Sequence, residues 1–384
     1  MVWTLRLVGE SLQFHQDKQS PQRRSLTSED TTRFTNWAER YGRAVKARNH
    51  SELLAIGQEV FGWLEDDGHR WGSQLTDNTG QICLDIVTDK NPDDGARDFL
   101  DVPWELLARD GVYLAEDDFR PFCLQRRLGE AGELAAPQYK DLAVMFMAAA
   151  PRNVEPVLDF EGEEAGILAA TDNLPLALTV EESGSADFLK DRLADDGPFE
   201  VMHLTCHGNI GKEGPVLALE DEGGYLALTS AGTLAATLGS EKPGLLFLSA
   251  CRTAENDGPT APLAIQLMRA GVPAVLGWDG SVRDIDASAF ARETYAELAR
   301  HERPVFAVAS ARQRLLAQHR ADQQKGQHWH LARLYVGANG GGALCARNAK
   351  MRPVFRGRAY SAFLDTERKK VPVAGPAAFV GRRR

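Results

Sequence analysis

A histidine and a cysteine stand just after two apolar segments of the sequence, and together they could carry out nucleophilic catalysis. His207 follows residues 200–206, and Cys251 follows residues 244–249 after one alanine. A thiol supplies the nucleophile and an imidazole the base, so this pair is the minimal set for covalent catalysis by cysteine. Gly208 lacks a side chain, which lets its N–H approach a substrate carbonyl closely. A histidine or cysteine on a strand is more often structural, so the residues alone leave both interpretations open.

The catalytic interpretation requires the two apolar segments to be neighbouring strands of one sheet. Continuous apolar runs, typical of strands covered on both faces, alternate here with helical patterns. The predicted strands are residues 142–148, 176–180, 200–206, 244–249, 274–277 and 331–336. We therefore predict an α/β fold with a mostly parallel sheet and helices on both faces. Active sites of such sheets lie just beyond the C-terminal ends of the strands, where both residues stand.

The chain is predicted to have three parts. Residues 1–135 form a smaller, irregular α/β region, and residues 136–349 carry the regular alternation. Residues 350–384 form a poorly patterned tail, in which ten Lys and Arg against two Asp and Glu give a charge of +8. The preceding residues carry −18, so we expect the tail to be a basic linker rather than part of the folded unit.

The composition is that of a globular protein and argues against several function classes. The chain has 384 residues, 43% hydrophobic and 26% charged, which suits about two domains. A net charge of −10 argues against general nucleic-acid binding, and no stretch of ~18 apolar residues predicts a membrane helix. Five cysteines without CxxC spacing indicate neither a disulfide framework nor a zinc site, and no phosphate loop is present. We expect a cytoplasmic protein with no metal and no cofactor.

The two segments resemble the signature blocks of a known family. The sequence HLTCHG at 203–208 and the sequence LSACRTA at 248–254 resemble the paired blocks of the CHAT domain. This caspase-like family of the caspase–haemoglobinase clan is related to separase. Supporting segments occur in the family's order at 102–107, 122–127, 271–278 and 328–337, so the similarity spans roughly residues 100–345. The resemblance implies a caspase-like fold and a cysteine endopeptidase that hydrolyses a specific protein substrate.

The resemblance also implies roles for individual residues. Cys251 would attack the scissile carbonyl, His207 would move the proton, and the backbone N–H groups of Gly208 and Cys251 would form the oxyanion hole. Trp278 and Asp279 follow a strand next to the catalytic one and are predicted to bind substrate. Asp279 would pair with a basic P1 residue, as carboxylates do in several relatives of the clan. The alternative is that Asp279 is a solvated loop acid.

Other polar residues near these blocks are expected to be structural. Cys206 points to the opposite face from His207 and is predicted to lie in the core. His203 is predicted to be a core histidine, with a role beside the catalytic pair as the alternative. Glu163 and Glu164 match the family's acidic opening of the helix after the first strand, where carboxylates suit the helix dipole.

Regulation by a second module is a further implication of the resemblance. Relatives are commonly fused to sensor or oligomerising modules, so we expect an autoinhibited enzyme, switched on by a module in cis or a partner protein in trans, in a bacterial defence or cell-death pathway. The sequence AFVGRRR at 378–384 resembles the opening of ATPase modules of the STAND or AAA type. Residues 350–384 would then lead into a truncated NTPase module. The expected partners are a protein substrate and this regulator, with no direct nucleic acid and no membrane.

Two alternative functions stay open at this point. The same fold could be a catalytically silent scaffold that binds partners, although the presence of both His207 and Cys251 in well-formed blocks favours the enzyme. A nucleotide-binding α/β domain is the second alternative. It is disfavoured because residues 148–151, after the first predicted strand of the alternation, contain no glycine-rich fingerprint.

Overall fold

The N-terminal part combines short strands with helices. The computed structural model describes residues 2–16, 19–77, 80–211, 214–240, 242–251, 253 and 261–350, and the predicted basic tail lies outside them from residue 351 onward. The strands of this part are β1 (Val2–Val8), β2 (Ser11–Gln16), β3 (Gln22–Ser25), β4 (Cys83–Thr88), β5 (Ala108–Arg109), β6 (Val112–Tyr113) and β7 (Cys123–Leu128). The helices are α1 (Ser28–Ala47), α2 (His50–Glu65), α3 (Trp71–Thr76) and α4 (Asp94–Asp101), with 3-10 turns at Asp66–Gly68, Trp104–Leu106 and Leu114–Glu116.

The second part alternates strands and helices more regularly. Its strands are β8 (Leu142–Ala148), β9 (Leu176–Glu181), β10 (Val201–Thr205), β11 (His207–Gly211), β12 (Gly214–Glu220), β13 (Leu226–Ser230), β14 (Leu245–Ser249), β15 (Ala274–Trp278) and β16 (Ala332–Val336). Its helices are α5 (Phe160–Ala170), α6 (Ala186–Asp196), α7 (Ala231–Leu238), α8 (Leu263–Arg269), α9 (Asp284–Ala299) and α10 (Pro304–Ala321). A proline opens α10, where its missing N–H would have had no helical partner.

A single sheet joins both parts. Its eleven strands lie in the order β3-β2-β1-β4-β7-β16-β15-β14-β10-β8-β9. The pairs β3–β2, β2–β1 and β15–β16 are antiparallel, and the other pairs in this sheet are parallel. The predicted α/β class with a mostly parallel sheet is therefore confirmed.

Helices cover both faces of the central strands, as predicted. Every residue of β7, β10, β14, β15 and β16 is buried, although successive side chains of a strand point to opposite faces. Helix α10 packs against β7 and β16, while α8 packs against β15 and β16. The residues at the ends of these strands are thus held by a core that is closed on both sides.

A buried group of ions links the two predicted parts of the chain. Glu105 precedes β5, Arg126 lies on β7 and Arg312 lies on α10, and all three side chains are buried. The two Glu105 oxygens accept hydrogen bonds of 2.6 and 3.0 Å from Arg126, and Arg312 Nη2 lies 3.2 Å from Glu105 Oε1. Since β7 also pairs with β16, the sheet continues across the predicted boundary after residue 135.

A smaller sheet carries the predicted catalytic histidine. It contains β11, β12 and β13 in antiparallel order, with His207 as the first residue of β11. The sequence of β11 is HGNIG, in which glycine and asparagine disfavour a strand, so propensity does not predict it. The antiparallel hydrogen bonding with β12 stabilises the strand, although the local sequence has a low strand propensity.

Candidate active site

Parallel pairing of β10 with β14 brings the two predicted catalytic residues to the same edge of the sheet. Thr205 at the end of β10 lies opposite Ser249 at the end of β14. His207 and Cys251 each follow two residues later, and both line one small pocket. The Cys206 N–H donates to the Ser249 carbonyl at 3.4 Å, which extends the ladder beyond the strand ends. The structure therefore brings together the pair that the sequence blocks predict.

Gly208 lies directly against the backbone of Cys251. A Cβ atom built on Gly208 would stand 2.0 Å from the Cys251 carbonyl oxygen and 3.3 Å from its nitrogen. Real Cβ contacts are never this short, so any larger residue would push the two loops apart. Glycine is thus required here by a close approach of two backbone segments, next to the atoms that would form the oxyanion hole.

The imidazole of His207 is oriented by a backbone carbonyl. Its Nε2 atom lies 2.7 Å from the oxygen of Pro156, in the loop between β8 and α5. A carbonyl oxygen can only accept, so Nε2 carries the proton and, in the neutral ring, Nδ1 carries the lone pair. The half-buried Cys251 thiol has a long contact of 4.0 Å from Sγ to the Val282 oxygen. Nδ1 is the nitrogen available to act as a base.

A buried carboxylate connects the two strand ends beneath the pocket. Glu163 accepts hydrogen bonds from the hydroxyl of Thr205 at 2.5 Å and from that of Ser249 at 2.9 Å. Burial alone would raise the pKa of Glu163, but nearby His203 and these hydrogen bonds lower it below its ordinary value of 4.5. The residue therefore does more than complement a helix dipole, because its charge fixes both hydroxyls as donors.

His203 extends this network into the core. Its Nε2 atom lies 2.8 Å from Thr205 Oγ1, and its Nδ1 atom lies 3.1 Å from the hydroxyl of Tyr295 on α9. Because Thr205 gives its proton to Glu163, Thr205 accepts from His203 Nε2. The His203 side chain is fully buried, in agreement with its predicted place as a core histidine.

Cys206 borders the pocket of the catalytic pair, but its side chain is buried. The side chain is 1% exposed, and burial raises the pKa of its thiol to about 12. A thiol with this pKa stays protonated and is a poor nucleophile near neutral pH. Its predicted place in the core agrees with the structure.

Trp278 and Asp279 lie in the interior, and neither is among the described residues that line the catalytic pocket. Trp278 is fully buried and stacks edge-on against Phe290 at 5.0 Å. The Asp279 carboxylate forms a buried ion pair with Arg333 of β16, and its N–H donates to the Leu331 carbonyl at 2.8 Å. Asp279 is buried and Arg333 neutralises its carboxylate, so it is not a solvated loop acid, which is the alternative prediction for this residue.

Two other aspartates line the pocket that holds His207 and Cys251. Asp159 caps the N-terminus of α5 by accepting from the Gly162 N–H at 3.1 Å. Asp284 begins α9, and its Oδ2 atom accepts from the Asp159 N–H at 3.4 Å. Both residues are exposed and border the pocket. The sequence carries no signal that places Asp284 at this pocket, because its position depends on how α9 packs against α5.

The described part of the chain contains neither a metal-binding cluster nor a membrane-spanning helix. No group of three His, Cys, Asp or Glu side chains there could hold a metal ion. No helix among those residues is long and apolar enough to cross a bilayer.

Comparisons with known proteins place these features in a family. The family model named CHAT domain matches residues 93–338, which is more than half of the chain. No curated protein matches the sequence.

Three solved structures are similar to the chain. Separase of Saccharomyces cerevisiae, solved with securin, is 14% identical over 70% of this chain and 16% of its own, with a TM-score of 0.40. Gingipain R (RgpB), an Arg-specific cysteine proteinase, is 14% identical over 77% and 68%, with a TM-score of 0.44. Caspase-1 from Spodoptera frugiperda is 13% identical over 53% and 93%, with a TM-score of 0.34. The chain spans about a sixth of the separase chain. On the family match, which covers more than half of its length, the chain belongs to the CHAT-domain family.

Proposed function

We propose that the protein is a cysteine endopeptidase that hydrolyses peptide bonds through His207 and Cys251. The observation that carries the proposal is the placement of both residues at paired strand ends in one pocket. The family match supports the same chemistry. The Pro156 carbonyl holds Nε2, so the proton of Sγ passes to Nδ1 of His207 as the sulfur attacks the scissile carbonyl.

The remaining steps follow from the same groups. The carbonyl oxygen gains negative charge when the S–C bond forms, and the N–H groups of Gly208 and Cys251 are proposed to stabilise it. Nδ1–H then protonates the leaving amine as the C–N bond breaks, which leaves an acyl-enzyme. A water molecule gives a proton to Nδ1 and attacks the acyl carbon, and the thiol recovers its proton when it leaves.

The test compares the native protein with the Cys251→Ala variant. New N-termini are identified by mass spectrometry after each protein is incubated with a proteome extract. Cleavage sites that occur only with the native protein are expected. Equal cleavage by the variant would exclude Cys251 as the nucleophile.

A catalytically silent scaffold is the competing function, and a covalent probe separates the two. A peptidyl acyloxymethyl ketone alkylates a thiolate that has a neighbouring base. Labelling at Cys251 that is lost in His207→Ala is expected of the enzyme. A scaffold would show no difference between native protein and variant.

Regulation is part of the proposal. We infer that a sensor or NTPase module in cis, or a partner in trans, shifts the chain to its competent conformation, within a bacterial defence or cell-death pathway in the cytoplasm. The protein alone should therefore turn over substrate slowly. Rapid turnover without any partner would contradict autoinhibition and leave the peptidase assignment intact.

A further inference from the structure

A second groove opens beside the catalytic pocket, between α5 and α9. It has a volume of about 680 Å³, and it shares Asp159, Asp284 and Ser288 with the catalytic pocket. These three residues form the border between the two spaces. The hydrogen bond from the Asp159 N–H to Asp284 crosses this border. The mechanism proposed above makes no use of the groove.

Two glycines of α5 line the groove. Gly162 and Gly166 are one turn apart and lie on the same face of the helix. A Cβ atom at Gly166 would meet no atom within 4 Å, so this position faces open space. On the opposite wall, α9 contributes Ile285, which is 57% exposed, and Ala289. The groove therefore offers a partly apolar trough beside the catalytic pair.

Charges of opposite sign stand at the two ends of the groove. Asp159 and Asp284 lie at the border with the catalytic pocket, whereas Arg292 lies about two helical turns farther along α9. Arg292 is exposed, and its guanidinium forms no hydrogen bond or ion pair with the described residues. Lys325 does not belong to this end, because the N–H of the neighbouring Gly326 donates to Asp286 near the start of α9 at 2.8 Å. The basic end is thus available to an acidic ligand.

The length of the groove sets the spacing of that ligand. Arg292 follows Asp284 by eight residues on one helix, which corresponds to roughly 12 Å. An extended peptide covers this distance in about four residues. Asp286 in the same groove is already satisfied by His328 at 2.8 Å and by the Gly326 N–H at 2.8 Å, so it adds little free charge.

We propose that this groove binds the segment of the protein substrate next to the scissile bond. The geometry selects an acidic side chain about four residues from the residue at the border, where it meets Arg292. A polypeptide is the occupant because the groove is continuous with the catalytic pocket and carries charges along its length. The inference rests on the proposed peptidase function, and it adds a sequence preference that the catalytic pair alone does not have.

In the test, twelve-residue peptides from a display library are selected for binding to the full chain. The chain carries the Cys251→Ala substitution, so that bound peptides are not cleaved. Selected peptides are expected to contain an acidic residue. Their affinity should fall at least tenfold when Arg292→Glu is added, and peptides with Lys or Arg in place of the acid should then be favoured. Arg314→Glu changes an exposed arginine of α10 outside the groove by the same charge and should leave affinity unchanged.

A second pair of variants tests the shape of the groove. Gly166→Leu should fill it and weaken binding by a similar factor. Gly42→Leu on α1 is the matched control, because a Cβ at Gly42 also meets no atom within 4 Å. Circular dichroism and thermal unfolding establish that each variant is folded. Selection of no peptide, or equal binding by Arg292→Glu and Arg314→Glu, would overturn the proposal.

The same peptides distinguish this inference from the proposed function. They are incubated with the native protein, and cleavage is measured by mass spectrometry. Peptides that bind through Arg292 but are never cleaved would support the groove and count against the peptidase. Peptides that are cleaved with no effect of Arg292→Glu or Gly166→Leu would support the peptidase and refute the groove.

Discussion

The Nε2 atom of His207 lies 2.7 Å from the carbonyl oxygen of Pro156, and this contact decides which nitrogen of the ring can act as a base. A backbone carbonyl does the work that a side-chain carboxylate does in other nucleophile–base arrangements, because it fixes the tautomer and the ring orientation. It adds no full negative charge beside the imidazole.

We predict that Gly208→Ala strongly lowers catalysis. The added Cβ would stand 2.0 Å from the Cys251 carbonyl oxygen, so the loops must separate and the predicted oxyanion donors must move. Loss of one such donor costs about 2.7–4 kcal/mol of transition-state stabilisation, which corresponds to a fall of roughly 10²–10³ in kcat. The measurement is kcat/KM for a peptide that the native protein cleaves.

Gly232→Ala is the control for this substitution. Its Cβ on α7 would meet only Ser230 Oγ at 3.7 Å, so activity should stay within about twofold of native. Native kcat in Gly208→Ala would show that the close approach is not needed for the reaction.

The sequence predicted the catalytic pair for reasons that do not extend to its surroundings. His207 and Cys251 follow buried strands, and residue type together with strand order is enough to bring them to one edge. The role of the Pro156 carbonyl has no signal in the sequence, because every residue has a backbone carbonyl. The pairing of Asp279 has no signal in the sequence either, because its partner, Arg333, lies on a strand more than fifty residues later. Burial and pairing of such distant residues depend on packing rather than on local pattern.

Glu163→Gln should weaken the link between the two strand ends. An ionised carboxylate accepts from both Thr205 and Ser249, whereas the amide nitrogen of glutamine needs an acceptor and leaves one hydroxyl unpaired. We expect unfolding free energy to fall by about 1.5–3 kcal/mol at pH 7, as judged by urea unfolding. Glu161→Gln, at an exposed position in the same helical turn, should change little. Equal urea midpoints for the two variants would refute the linking role.

Stability should also depend on pH through Glu105. Burial alone would raise the pKa of Glu105, but Arg126 and Arg312 lower it from 4.5 to about 2. A lowered pKa in the folded state stabilises the protein above the unfolded value of 4.5, and this contribution is lost as pH falls from 4.5 towards 2. The Glu105→Gln variant lacks this contribution and leaves the buried guanidinium groups of Arg126 and Arg312 uncompensated. We therefore expect its unfolding free energy to fall by about 3–5 kcal/mol at pH 7.

Urea midpoints measured from pH 7 down to pH 3 test this prediction. The difference between the native protein and Glu105→Gln should be largest above pH 4.5 and should narrow below it. A difference that stays constant over the whole range would show that the Glu105 charge is not the source of the effect.

Asp279→Asn distinguishes an interior ion pair from a substrate contact. Asp279 and Asp101 share the buried guanidinium of Arg333, and loss of one carboxylate leaves that charge partly uncompensated. We therefore expect a clear fall in the urea midpoint together with an unchanged preference at P1, measured by profiling cleavage sites at a temperature where the variant is folded. Asp284→Asn should give the opposite pattern: a stability near that of the native protein and a changed preference for the residues next to the scissile bond. The reason is that the exposed Asp284 carboxylate borders the catalytic pocket. A changed P1 profile in Asp279→Asn, with stability intact, would restore Asp279 as the substrate-binding acid and contradict its assignment to the core.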